Sequence, residues 1–197
     1  LFPLSVVADA ASTTELKPDV RLLIDISGSM KDSDPSNLRA PAVELIVQML
    51  PEGSRAGIWI FGEDVSPLVG HGAVDEAWRQ EAERAIKAID NSGQLTNIPA
   101  ALQAASFDFD RLDPGYRTSI VLLTDGKVDI SSSPMANASA VRNLLTKVGP
   151  DMGSIGVPVH TIALSDEADW QFLESLAEKT KGIAEKAETA GELAPLF

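Results

Sequence analysis

Asp25, Ser27 and Ser29 stand on alternate residues just after an apolar run, Val20 to Ile24, that only Arg21 interrupts. One carboxylate and two hydroxyls at i, i+2 and i+4 project to the same side of an extended or tightly turned backbone. Gly28 lets that backbone turn sharply. Three hard oxygen donors facing one point suit Mg²⁺, Mn²⁺ or Ca²⁺ and match zinc or copper poorly. The chemistry to consider first is a divalent-cation site at the end of a buried strand.

Two further oxygen-bearing residues lie at similar boundaries. Thr96 belongs to the stretch Gly93-Gln94-Leu95-Thr96-Asn97 ahead of a helix, and Asp125 to Thr124-Asp125-Gly126 after an apolar run. Each has a plain local explanation. Ser27 and Ser29 can form turns and Asp25 can accept nearby amides. Thr96 or Asn97 can cap the next helix, and Asp125-Gly126 is a common turn pair. What favours a metal is that the oxygens recur, in order, at three element boundaries.

The elements that must position these residues alternate between strand and helix. Apolar runs at Val20–Ile24, Ala56–Phe61, Ser119–Thr124 and Val157–Leu164 read as buried strands, and Pro67–Val69 as a short edge strand. Lys31–Asn37 reads as a loop. Leu38, Ala42, Leu45, Ile46, Met49 and Leu50 recur at helical spacing, as do Val74, Trp78, Ala82, Ala85, Ile86 and Ile89. Pro99 opens a short helix through Ile98, Ala101, Leu102 and Ala105. Ser131–Pro134 caps another with Ala138, Val141, Leu145 and Val148 on one face, and Trp170, Leu173, Leu176 and Ala177 form a last one stopped by Gly182. The expected fold class is α/β, a doubly wound and mostly parallel sheet with helices on both faces and one antiparallel edge strand. Ligands of such sheets sit beyond the carboxyl ends of the strands, where strand order reverses. Asp25 and Asp125 both fall at strand ends.

Taken together, Asp25-x-Ser27-x-Ser29, Thr96 in its loop and Thr124-Asp125-Gly126 resemble the three pieces of the metal-ion-dependent adhesion site of a von Willebrand factor A domain. The resemblance runs from about Val20 to Phe197 and takes in Ile60-Phe61-Gly62 and Val159-His160-Thr161-Ile162. It implies that Ser27 and Ser29 ligate Mg²⁺ (Mn²⁺ or Ca²⁺ as substitutes) directly. Asp25, Thr96 and Asp125 would hold the ion directly or through water. A position left to water can then accept an Asp or Glu carboxylate from a partner protein, which is recognition without a reaction. Two features depart from the family pattern. Lys181 stands where the first of two glycines is usual, and no ligand-recognition helix is inserted between Asn91 and Thr96. Bacterial periplasmic or cell-surface relatives are therefore better models than animal adhesion receptors.

Composition sets the outer limits. With 44% hydrophobic and 23% charged residues the chain is globular. Sixteen basic against 29 acidic side chains leave a net charge of −13, which argues against nucleic acid and anionic membrane surfaces as partners. The absence of cysteine removes disulfides, thiol catalysis and thiolate metal sites. Residues 20–197 are expected to form the domain, with 1–19 an N-terminal extension. Ala8-Asp9-Ala10 has the small-x-small form of a signal-peptidase site but equally fits an ordinary strand or linker. Apolar Leu196-Phe197 suggest that a longer protein continues.

The enzyme alternatives are thinner. A haloacid-dehalogenase-type phosphatase carries a second aspartate where Ser27 stands. A serine hydrolase needs Gly-x-Ser-x-Gly, and a phosphate-binding loop needs a glycine-rich turn with lysine. Metal-dependent phosphoryl transfer or hydrolysis is the runner-up, and a structural domain with an idle metal site the third reading. Asp32, Asp34 and Asp129 are expected to be solvated acids rimming the site. His71, in a loop, and His160, in a strand, lack a second ligand at metal spacing and are expected to be structural. The charged run Glu174–Glu188 reads as a solvated helical and turn face.

Overall fold

The computed structural model describes residues 16–34, 36–37, 39–164 and 168–186. Expectations for residues 1–10, Leu38 and residues 190–197 lie outside these. Among the described residues, strands β1 (Lys17–Asp25), β2 (Arg55–Phe61), β3 (Val65–Ala73), β4 (Tyr116–Thr124), β5 (Val159–Ala163) and β6 (Ala184–Lys186) form one sheet in the order β3-β2-β1-β4-β5-β6. All pairs are parallel except β2 with β3, so the antiparallel strand lies at one edge, as expected. Helices α1 (Met30–Ser33), α2 (Arg39–Met49), α3 (Glu76–Ile86), α4 (Ile98–Ala105), α5 (Pro134–Asn143), α6 (Gly149–Ser154) and α7 (Trp170–Thr180) alternate with the strands. No helix among the described residues is long and apolar enough to cross a membrane.

Period-two alternation along the strands feeds two cores. Val20, Leu22, Ile24, Val121 and Leu123 meet Ala42 and Ile46 of α2 and Trp78 and Ala82 of α3. Leu23, Ile120 and Leu122 meet Ile98 and Leu102 of α4 and Leu173 and Leu176 of α7 on the opposite face. Each fully buried aliphatic side chain contributes about 1.5–3 kcal/mol. The strands are buried on both faces, hence their nearly continuous apolar sequences. Strand order reverses between β1 and β4, because β1 leads on to β2 on one side while β4 leads on to β5 on the other. The carboxyl ends of β1 and β4 therefore flank the crevice where this class of sheet binds ligands.

Arg21, the interruption in the first apolar run, is fully buried. Its guanidinium donates to Ala105 O (2.5 Å) and Asp19 Oδ2 (3.0 Å) and lies 2.7 Å from Asp108 Oδ1. The rings of Phe107 and Phe109 sit 4.9 Å from it. Burial opposes ionisation of Asp19, but hydrogen bonds from His71 and Arg21 outweigh it and hold the carboxyl below its ordinary value. His71 is thus structural, although it lies on β3 and not in a loop. His160, in β5, accepts Ile183 N–H through Nδ1 (3.3 Å), and burial lowers its pKa.

Several elements differ from the sequence-based expectation. The Lys31–Asn37 stretch contains the one-turn helix α1, anchored by buried Met30. Helix α2 buries Arg39, Ala42, Val43, Ile46 and Val47, leaving Met49 exposed; this helix is apolar on most sides, so pattern alone cannot choose its rotation. Strand β3 is nine residues long because antiparallel pairing with β2 continues past Pro67. After α5 the helix passes through a π turn at Leu144–Val148; Val141, Leu145 and Val148 pack partly buried against the core, as expected, while the fully buried contact is Leu144. β6 lies inside the charged run as a parallel edge strand. Asp34 is no solvated acid: it is buried and ion-paired with Arg39 at 2.8 Å.

Candidate functional site

At the crevice between β1 and β4 three loops meet. The first starts at Asp25, the fully buried last residue of β1. Its Oδ1 accepts the Ser27 N–H (2.8 Å) and its Oδ2 accepts the Thr124 hydroxyl (2.5 Å) from the neighbouring strand. Thr124 Oγ1 in turn accepts the Gly126 N–H (2.9 Å). Ser27 is buried and Ser29 exposed, with their hydroxyl oxygens 3.1 Å apart. Ser29 stands at the N-cap position of α1 yet its side chain makes no capping bond. Its hydroxyl therefore turns to Ser27 instead of to the helix.

The second loop is seated on the first by backbone. Gly93 N–H donates to Ile26 O (2.9 Å), and Asn97 N–H donates to Gly62 O (2.9 Å) at the end of β2. This approach needs glycine at position 93. An added Cβ would lie 2.9 Å from Ile26 O and 3.1 Å from Gly62 Cα. The capping role that Thr96 or Asn97 could fill belongs to Asn97, whose Oδ1 accepts Ala100 N–H (3.1 Å). Thr96 is buried and tied to the third loop instead. Its N–H donates to Asp129 O (2.8 Å) and its O accepts Asp129 N–H (3.1 Å).

The third loop carries Asp125, also buried, whose carbonyl accepts Asp169 N–H (3.1 Å) at the start of α7. Gly126 has φ +80°, and a Cβ there would meet Leu173 at 2.9 Å, so two constraints select glycine. Asp129 Oδ1 accepts from Asn137 of α5 (3.0 Å), while Asp32 is exposed on α1. Five residues singled out from sequence, Asp25, Ser27, Ser29, Thr96 and Asp125, thus lie on three loops that hydrogen bonds join pairwise.

Electrostatically the site is poised against two bare carboxylates. Burial pushes the Asp25 carboxyl up from 3.8 to about 6, against the hydrogen bonds from Ser27 and Thr124 that stabilise its charge. The nearby charge of Asp125 raises it further. Among the described residues no group of three His, Cys, Asp or Glu side chains is arranged to hold a metal, so a cation here would need the hydroxyls. Thr124, which donates to Asp25 Oδ2, and Arg39, which donates to the Asp25 carbonyl, touch the site without having been singled out. Thr124 was visible beside Asp125, but only strand pairing brings its hydroxyl to Asp25. Arg39 gave no signal, because a charged residue at a helix start reads as exposed.

A search of curated protein sequences found no match. Among solved structures, a von Willebrand factor type A protein from Catenulispora acidiphila superposes with a TM-score of 0.73 at 18% identity, over 91% of this chain and 41% of that one. An aerotolerance-related membrane protein from Bacteroides fragilis gives 0.67 at 17% identity, over 91% and 96% of the two chains. Proximal thread matrix protein 1 of the mussel byssus, with a zinc-occupied adhesion-site motif, gives 0.62 at 19% identity, over 92% and 46%. This chain spans less than half of the first and third of these. At such identities the likeness is one of fold. The sequence itself matches the von Willebrand factor type A domain model over residues 18–186, from the first strand to the last. With that match over most of its length and the corresponding sheet order, the chain belongs to the von Willebrand factor type A domain family.

Proposed function

We propose that this domain is a non-catalytic, divalent-cation-dependent protein-binding module. Ser27 and Ser29 would ligate Mg²⁺, with Asp25, Thr96 and Asp125 holding it directly or through water. An Asp or Glu of a partner protein would complete the shell. The observation that carries this reading is the Ser27–Ser29 hydroxyl pair, 3.1 Å apart beside the buried Asp25 carboxylate, at the reversal of strand order. The fit is chemical. The donors are all hard oxygens, and a dication would offset the cost of charging Asp25 near Asp125. Few anionic ligands leave the ion electron-poor and receptive to an incoming carboxylate. Mn²⁺ and Ca²⁺ are the natural substitutes. Zinc belongs in the comparison because the mussel protein's motif holds it.

The envelope of a bacterium is the proposed location, supported by the Bacteroides fragilis relative's description as a membrane protein. The residues ahead of β1 would then be an extension, with the domain starting at Lys17, where the sheet starts, and not at residue 20. The test is binding of Mg²⁺ and capture of carboxylate-bearing partner peptides by wild type, Asp25→Ala and Ser27→Ala. Both variants should keep the fold and lose both activities. Peptide capture that survived EDTA and both substitutions would reduce the site to scaffolding. Metal-dependent hydrolysis of a phosphate ester, lost in Asp25→Asn, would favour an enzyme.

A further inference from the structure

We propose that Arg39 is the positioning residue of this site: its buried guanidinium sets the spacing between the Ser27–Ser29 loop and the Thr96 loop, and with it the cation affinity. This rests on the metal-site reading above. Arg39 is fully buried at the first position of the α2 stripe that continues through Ala42, Val43, Ile46 and Val47. Its Nε–H donates to Asp34 Oδ2 (2.8 Å), which also accepts the Arg39 backbone N–H (3.2 Å). One terminal nitrogen donates to the backbone carbonyl of Asp25. The other donates to Asn91 Oδ1 and, at 3.3 Å, to Asn37 Oδ1. These acceptors lie on three segments: the end of β1, the α1–α2 link and the stretch from α3 to α4.

A second tie joins two of the same segments. Asn37, with φ +50°, donates through Nδ2 to Ile89 O (2.9 Å). An apolar residue would serve the α2 core without the cost of desolvating a charge. A guanidinium adds fixed geometry, since its donors lie in one plane at set angles. The Asp25 carbonyl cannot shift relative to Asn91 without breaking one of its bonds. Asp25 opens the first ligand loop and Asn91 opens the loop that leads to Thr96, so the guanidinium fixes one relative to the other. Lysine, a compact point donor on a flexible stem, cannot span acceptors on three segments.

The test is Mn²⁺ titration, followed by calorimetry and by the electron paramagnetic resonance of the bound ion, on wild type, Arg39→Lys, Asn91→Ala and the double variant. Asn91→Ala leaves the Asp34–Arg39 pair in place and guards against simple misfolding. Arg39→Lys and Asn91→Ala should each weaken Mn²⁺ binding about 10–100-fold, as loss of an outer partner of metal ligands does. Melting in EDTA should show a cooperative fold in both, and the resonance of the bound ion should broaden. The double variant should bind no more weakly than Arg39→Lys alone, because the two substitutions cut the same link. Unchanged Mn²⁺ affinity and resonance in folded Asn91→Ala and Arg39→Lys would overturn the positioning role alone. A wild type that binds no Mn²⁺ would overturn the metal reading, and this proposal with it.

Discussion

Asp25→Asn separates the two faces of the central carboxylate. Because burial raises the folded pKa from 3.8 to about 6, the folded protein holds that proton more tightly than the unfolded chain. The sign follows directly. The contribution is fully present below the unfolded value of 3.8, declines as pH rises, and is gone above about 6. A shift of about two units at about 1.4 kcal/mol each makes the metal-free protein about 3 kcal/mol less stable at pH 7 than an untitrating residue 25 would allow. Asparagine cannot titrate, keeps an oxygen for the Ser27 N–H, and requires only that the Thr124 hydroxyl turn to accept. Urea unfolding in EDTA from pH 3.5 to 8 measures the stability difference between Asp25→Asn and wild type. The other acids titrate in both proteins and cancel. The difference should grow in favour of the variant by about 2.5 kcal/mol between pH 4 and 7. A difference flat with pH would refute the argument that the carboxylate is held in an unfavourable site. The same experiment in saturating Mg²⁺ should reverse the order at pH 7. At about 1,000 times Kd the ion adds about 4.1 kcal/mol, more than that difference, to a wild type that binds it and nothing to a variant that does not. Mg²⁺ affinity should itself fall below about pH 6, where a proton competes for Asp25.

Three further substitutions probe how the loops are held. Gly93→Ala places a methyl 2.9 Å from Ile26 O, so the first two loops must part; calorimetric Mg²⁺ affinity should fall at least several-fold while far-UV circular dichroism is unchanged. Gly182→Ala puts a methyl 2.0 Å from Val159 O, where backbone and not a flexible side chain must give way. Urea unfolding should show a loss of about 2 kcal/mol or more, consistent with overpacking. Lys181, at φ +62°, occupies a left-handed turn that costs a side-chain-bearing residue about 1–2 kcal/mol. Lys181→Gly should therefore raise the melting temperature by a few degrees, after the added unfolded-chain entropy of glycine is subtracted.

Much of this architecture was legible because its signals are local. Apolar runs of strand length, helical stripes and turn residues predict the alternating order of elements, hence a parallel sheet wound on both sides. The hydroxyls and acids of the site could be picked out because each sits at an element boundary, and the family match from 18 to 186 agrees with the order of those boundaries. Other features had no local signature. β6 forms inside a charged run because β5 offers it an edge, and α2 takes its rotation from what packs beneath it.

Types and spacing alone determined the fold class and which oxygens could serve a cation. The tertiary structure decided which local uses those oxygens escape: Asn97 caps α4 so that Thr96 need not, and Ser29 faces Ser27 instead of capping α1. It also decided that Arg21, Arg39, Asp19 and Asp34 are buried. No sequence pattern could have placed them there. A charge enters a core when partners there satisfy it, and Arg39 finds its own both nearby, on residues 34 and 37, and far along the chain, on residues 25 and 91.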